Sequence, residues 1–310
     1  MGSVRHKKTF GRVRASTHNG MNKNDKFKAF RGSLVIPGGR TGVLLIHSLG
    51  GNPIELRFVA QGLARCGYTV YCPLLPGLGG GTDVSGLSTW KDWYAAVEQA
   101  HDELKKHCDV VLAGGLSAGS MLALRLARER PEGVQGLMLF APTIFPNGWA
   151  VPRSLHLFKL VNDKWTAKLF HFRQPAPYGI KDERIRNFVI ESFKKEDRPI
   201  EDFFGRGGGL VYEFMLLGRE VKRRLGEIRQ PTAIYHPRED DQSDISNAIT
   251  IQKKLAGPVE MTVLDDSYHM VTIDRQRNVV VDRTVEFAQR LTQALEEKQA
   301  VARLVKGAAE

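Results

Sequence analysis

Gly115-Leu116-Ser117-Ala118-Gly119 decides the fold. Asp109-Val110-Val111-Leu112-Ala113 precedes it, an apolar stretch with strand character. Ser120-Met121-Leu122-Ala123-Leu124-Arg125-Leu126-Ala127 follows, and reads as a helix with an apolar face. A G-x-S-x-G between a strand and a helix puts the serine on a sharp turn above the end of a sheet. The flanking glycines have no Cβ, so strand and helix can approach closely around it.

Outward from this turn the chain alternates. Gly42 to His47 is a continuous apolar run, as expected of a buried parallel strand. Ile54 to Arg65 has helical periodicity, and Tyr68 to Leu74 reads as a strand. A loop from Pro76 to Thr82 leads to Thr89, which fits the N-cap of a helix from Trp90 to about His107. Val134 to Phe140 is another buried strand. Phe27 to Ile36 reads as an entry strand or hairpin ahead of Pro37-Gly38-Gly39. Strands alternating with helices predict an α/β fold, a mostly parallel doubly wound sheet.

The rhythm stops from about Thr143 to Arg229. Ser154 to Phe170, Asp182 to Lys195 and Leu210 to Leu225 read as amphipathic helices, separated by Pro175, Pro177 and Gly205 to Gly209. Strand Pro231 to His236, helix Ile245 to Leu255, strand Val259 to Leu264 and helix Val279 to Gln299 resume the pattern. The expected organisation is a basic tail over 1–26, a core over 27–142 and 226–310, and a helical cap inserted over 143–225.

A serine hydroxyl needs a base to remove its proton, and the base needs an acid to hold its tautomer. Position selects among nine histidines. His269 follows the last strand, on the same sheet edge as Ser117, where sites form in doubly wound sheets. His47 also ends a strand there and reads as a structural residue orienting its loop. Pro237-Arg238-Glu239-Asp240-Asp241 follows the strand ending near His236. Asp240 is the acid chosen, with Asp241 and Asp244 as alternatives; Asp244 also suits a helix cap. Backbone N–H groups of Ala118 and Leu49 are placed to stabilise an oxyanion, with Gly50 and Gly51 letting their loop come close.

Taken together, Gly42 to Asn52, Gly115 to Gly119, Pro231 to Ile234 with Arg238-Glu239-Asp240, and Ser267-Tyr268-His269 with Asp274 resemble the α/β-hydrolases. Within that superfamily the chain is similar to bacterial carboxylesterases and monoacylglycerol lipases. The resemblance runs from about Phe27 to the terminal helix, is loose in the cap, and omits the tail. It implies ester hydrolysis through an acyl-enzyme, no metal or other cofactor, and a small-molecule or lipid ester whose acyl chain lies under the cap. Trp149, Leu155, Leu157, Phe158, Phe170, Phe172, Phe203 and Phe204 are candidates for the pocket wall, more than half of them expected to be ordinary packing. A thioesterase or acyltransferase would use the same residues. Two positions depart from the family: Ser48 stands where it has glycine after the histidine, and Tyr268 where it has glycine before the catalytic one. Both are expected to narrow or polarise the pocket.

Composition sets the remaining bounds. The 310 residues are 25% charged and 42% hydrophobic, ordinary for a globular domain. No apolar run approaches the roughly 20 residues of a membrane span, and no secretory signal opens the chain, so a cytoplasmic location is expected. Cys66, Cys72 and Cys108 lack metal spacing and read as reduced. Between Met1 and Gly32 stand nine bases and one acid, a net +8 of the chain's +11. This tail reads as a solvated extension; weak contact with an anionic membrane is open to it, and nucleic acid is not an expected partner. A non-catalytic binding protein on this fold remains a minor alternative, because nothing essential to the triad is missing.

Overall fold

A computed structural model of the chain describes residues 27–78, 88–152, 155–158, 160–194 and 205–307. The basic tail over 1–26, the end of the loop after Leu78, and Phe203 and Phe204 lie outside the described residues. Seven strands form the main sheet: β1 (Leu34–Ile36), β2 (Thr41–Ile46), β3 (Thr69–Cys72), β4 (Val110–Leu116), β5 (Gly136–Phe140), β8 (Thr232–Pro237) and β9 (Val259–Leu264), in the spatial order β1-β3-β2-β4-β5-β8-β9. β1 is antiparallel to β3 and every other pairing is parallel. The carboxyl ends of β2, β4, β8 and β9 therefore share one edge.

Alternation along the buried strands fills both faces of the sheet. On β2, Leu44 and Ile46 join an apolar cluster with Val97 and Leu104 of α2 (Trp90–His107), Met121 and Leu124 of α3 (Ala118–Glu129) and Ile251 of a later helix. Val43 and Leu45 point the other way, to Val59 and Leu63 of α1 (Arg57–Arg65) and to Val280 and Phe287. Each fully buried aliphatic side chain contributes about 1.5–3 kcal/mol. α2 starts at the predicted place because Thr89 Oγ1 accepts from Asp92 N while Asp92 Oδ2 accepts from Thr89 N, a reciprocal cap.

The entry segment is less regular than its sequence suggests. Only Leu34–Ile36 is strand. Phe27 and Phe30 instead pack on the Tyr71 ring, and Phe30 N donates to the Tyr71 hydroxyl, which draws the chain out of sheet register.

Between β5 and β8 the chain leaves the sheet. The helix expected from Ser154 to Phe170 is two short ones, α4 (Leu155–Phe158) and α5 (Lys164–Lys168). Asp163 makes the break by accepting from Thr166 N, which starts a new helix. A two-stranded antiparallel sheet of β6 (His171–Arg173) and β7 (Gly205–Gly207) appears where no strand was expected. The glycines read as a breaker serve close approach: Gly208 N donates to Phe170 O, and a Cβ on Gly208 would lie 2.0 Å from Ala167 O. α6 (Glu183–Lys194) follows the expected helix closely. α7 (Gly208–Arg224) lies within the 143–225 stretch, yet its Phe214, Leu217 and Val221 belong to the same cluster as α2 and α3. The layer covering the sheet thus reaches back into that stretch. α8 (Ser246–Lys254) and α9 (Arg277–Gly307) complete the fold. Among the described residues no helix is long and apolar enough to cross a membrane.

Candidate active site

Ser117 sits between the last residue of β4 and the first of α3 with φ 56° and ψ −113°, a left-handed backbone that a side chain rarely adopts. The turn is held by Ser117 N donating to Phe140 O and by Ser120 Oγ donating to Gly115 O. Both glycines are sterically required. A Cβ on Gly115 would lie 2.4 Å from the Gly119 carbonyl carbon, and one on Gly119 would lie 2.1 Å from Ile46 O.

Ile46 pairs in register with Gly115, so the loop after β2 runs over the start of α3. Leu49 lies on that loop and Ala118 opens the helix, whose first N–H groups have no partner within it. His47 is fully buried; its Nδ1 donates to Ser48 O and its Nε2 accepts from Leu75 N. Burial pushes its pKa down to about 4. His47 is therefore a neutral brace for the loop.

The ends of β8 and β9 meet beside it. Asp240 is buried, and its Oδ2 lies 2.8 Å from His269 Nδ1, its Oδ1 3.0 Å. Asp240 Oδ1 also accepts from Gln242 N and Ser243 N, both at 2.8 Å. An acceptor so placed keeps the proton on His269 Nδ1 and leaves Nε2 unprotonated for chemistry. Burial alone would push His269 down; the Asp240 charge and hydrogen bond, with Asp241 and Glu55 behind them, outweigh it and hold the imidazole above its usual pKa. His236 braces the Asp240 loop, its Nε2 donating to Ser243 O at 2.8 Å.

The two alternative acids do other things. Asp241 is fully buried but faces the backbone, accepting from His269 N and Gly179 N. Burial and then the neighbouring Asp240 push its pKa up to about 6. Asp244 Oδ1 accepts from Ser246 N at the start of α8.

The structure thus brings Asp240 onto His269 directly. It does not join Ser117 to His269 by a hydrogen bond: Ser117 Oγ donates to Thr143 Oγ1 at 3.3 Å, and Thr143 Oγ1 donates to Ala141 O. Among the described residues no three His, Cys, Asp or Glu side chains are grouped as a metal site.

Residues 40–276 match the family model described as serine aminopeptidase, S33. The chain belongs to this family of α/β-hydrolases. The chain is 27% identical over 257 residues to the thermostable monoacylglycerol lipase of Bacillus sp. (strain H-257), spanning 80% of this chain and 90% of that one. It is 22% identical over 261 residues to a carboxylesterase of Bacillus subtilis (strain 168), spanning 82% and 94%. A solved structure from work on LipS and LipT, two metagenome-derived lipolytic enzymes, aligns with a TM-score of 0.70 and 26% identity over 85% of this chain and all of that one. The monoglyceride lipase of Saccharomyces cerevisiae, at 17% identity and a TM-score of 0.63, shares the fold.

Three features of the S33 site escaped the sequence. Thr143 carries no signal beyond following β5. Glu55 carries none either, yet its carboxylate accepts from Ser48 N and Ser48 Oγ. Ser48 is thereby turned toward Glu55, and Tyr268 packs edge-on against Trp149 with Lys181 over its ring. The third is the backbone role of Asp241. Of the candidate wall residues, Leu155 and Phe158 are buried in a separate apolar cluster with Ala167, Val211 and Met215, and Phe172 packs on it. Trp149, Leu157 and Phe170 are exposed.

Proposed function

We propose that the protein hydrolyses carboxylic esters, lipid esters included, with Ser117 as nucleophile, His269 as base and Asp240 as the acid that orients it. The observation that carries this reading is the Asp240 carboxylate on His269 Nδ1, two loops away from a serine on a strained strand-to-helix turn. Ser117 Oγ leaves Thr143 and gives its proton to His269 Nε2 as it bonds to the ester carbonyl carbon. The carbonyl oxygen becomes an oxyanion that accepts from Leu49 N–H and Ala118 N–H. The imidazolium is stabilised by Asp240 and returns the proton to the departing alkoxide, releasing the alcohol and leaving an acyl-serine. Water, deprotonated by His269, then frees the acid by the same route.

In this reading the segment between β5 and β8 acts as a cap that shapes the acyl site. The similarity to a monoacylglycerol lipase and a carboxylesterase supports an acyl ester as substrate. A p-nitrophenyl ester series from acetate to palmitate, with wild type and Ser117→Ala, tests it. Activity on the series with a loss of at least about 10⁴-fold in the variant is expected. Wild type inert on every ester, or a variant that keeps its rate, would overturn the reading.

A further inference from the structure

Asp241 and Asp274 are fully buried carboxylates that take no part in the proposed proton transfers. Their oxygens converge on two segments distant in sequence. Asp241 Oδ1 accepts from His269 N at 3.3 Å and its Oδ2 from Gly179 N at 2.8 Å. Asp274 Oδ2 accepts from Tyr268 N at 2.8 Å and from Lys181 N at 2.9 Å, and its Oδ1 from Asp182 N at 2.9 Å. Met270 N donates to Gly179 O at 2.8 Å. Every donor to these side chains is a backbone amide. Two come from the loop carrying His269 and three from the stretch just before α6.

We propose that Asp241 and Asp274 are positioning residues that fasten the His269 loop to the Gly179–Asp182 segment, so that the chain inserted between β5 and β8 sets where the catalytic base stands. This rests on the serine hydrolase reading of the site.

The physical need for such a fastening is plain. Ser117 is held between a strand and a helix, and Asp240 follows β8 within three residues. His269 lies five residues beyond the end of β9 and eight before α9, on irregular backbone. Unfastened, that loop would let the imidazole drift, and a displacement of about 1 Å costs on the order of 10²-fold in rate. Charge-assisted bonds from carboxylate to backbone amide are the stronger kind of hydrogen bond. Gly179 makes the contact close: its φ is +79°, and a Cβ there would lie 2.9 Å from Met270 Cγ and 3.3 Å from His269 Cβ.

Asp241 also acts through charge. The charged and titratable groups facing His269 are Asp240 and Asp241 after β8, Glu55 in the turn before α1, and His236 on β8. Removing Asp241 lowers the negative potential at the imidazole and lowers its pKa. Ionised, Asp241 accepts from the two amides through charge-assisted bonds, and burial raises its pKa to about 6. Neutral pH keeps the Asp241 bonds charge-assisted, and acid weakens them.

Hydrogen exchange and kinetics on the full chain test this with Asp241→Asn, Asp274→Asn and Gly179→Ala. In Asp241→Asn, amides of both 177–182 and 267–271 should exchange at least about tenfold faster. kcat for p-nitrophenyl butyrate should fall about tenfold with KM within twofold, and the acid limb of kcat/KM should move to lower pH. In Asp274→Asn the same two segments should open together and kcat fall, with the acid limb unmoved. Gly179→Ala approaches the fastening from the other side and keeps both carboxylates; it should open both segments as well. Exchange that rises in one segment alone, or an Asp241→Asn profile superimposable on wild type, would overturn the proposal. Wild type inert on esters while both segments still open together would sink the reading of the site and leave the fastening intact.

Discussion

The sheet and the segment between β5 and β8 treat large apolar side chains in opposite ways. Val43, Leu44, Leu45 and Ile46 on β2 are completely buried, and their neighbours on both faces are too. Leu157, Leu160, Trp165 and Leu169 around α4 and α5 are 69–84% exposed, and Phe188 on α6 is 72% exposed. The sheet is a packed body whose rigidity fixes Ser117 at its turn. The inserted segment has its own small cluster around Leu155 and Phe158 and turns much of its remaining apolar surface outward. It reaches the proposed machinery through Gly179 to Asp182. The sheet edge carries Ser117 and Asp240 at the ends of regular elements, and the insert touches the His269 loop.

Four measurements would break or sharpen that division. The largest effect is expected at the sheet edge. Asp240→Asn should lower kcat/KM by about 10⁴-fold, because the amide presents a donor to His269 Nδ1 and favours the wrong tautomer. Its circular dichroism should stay unchanged. Steady-state kinetics beside Asp241→Asn would show whether the two neighbours differ; equal losses would erase the distinction between ring holder and backbone holder.

Next comes the packed core. Leu45→Ala should destabilise the fold by about 2–5 kcal/mol in urea unfolding, since it leaves a cavity between β2 and α1 that close neighbours cannot fill. A cost near zero would mean that the sheet is far softer than its burial implies.

The pH dependence is a subtler reading of the same edge. The proposed base, His269, can take a proton only when neutral, and its pKa is raised. Protonation therefore removes activity as pH falls, and the midpoint of the acid limb of kcat/KM should lie above the usual histidine value of about 6.5. A midpoint well below that would mean burial outweighs the carboxylates.

The smallest effect is expected in the insert. Trp165→Ala should change unfolding free energy by less than about 0.5 kcal/mol, as at other exposed positions. A loss of several times that would show the face to be covered in solution, and would make the contrast between the two regions one of partner rather than of packing.

Legibility in the sequence followed the same division. β9 spans the predicted Val259–Leu264, and α2 the predicted Trp90–His107, because buried strands and capped amphipathic helices carry their periodicity in consecutive residues. The helix drawn through Ser154 to Phe170 broke at Asp163, whose side chain caps the second piece, and the β6–β7 pairing joined residues more than thirty apart. An apolar period says nothing about a partner that arrives from elsewhere in the chain. The same holds at the site. Ser117 was legible because strand, turn and helix are contiguous around it. Asp240 is the acid the sequence favours, with Asp241 and Asp244 left as alternatives, because three carboxylates within five residues differ mainly in what they meet after folding.

The sequence by itself determined the order of strands and helices in the main sheet and its flanking layers, the glycine-flanked serine turn, and the loops that bring an acid and a histidine to one edge. Those features are written in local pattern and in the rules for parallel sheets. Only the tertiary structure decided which carboxylate holds the His269 ring, that Ser48 is turned toward Glu55 and the Ser117 hydroxyl toward Thr143, and that two further aspartates tie the histidine loop to the insert. Each of those is a contact of about 3 Å between groups remote in sequence or free to rotate, and the direction of a side chain is set by the neighbours that packing supplies.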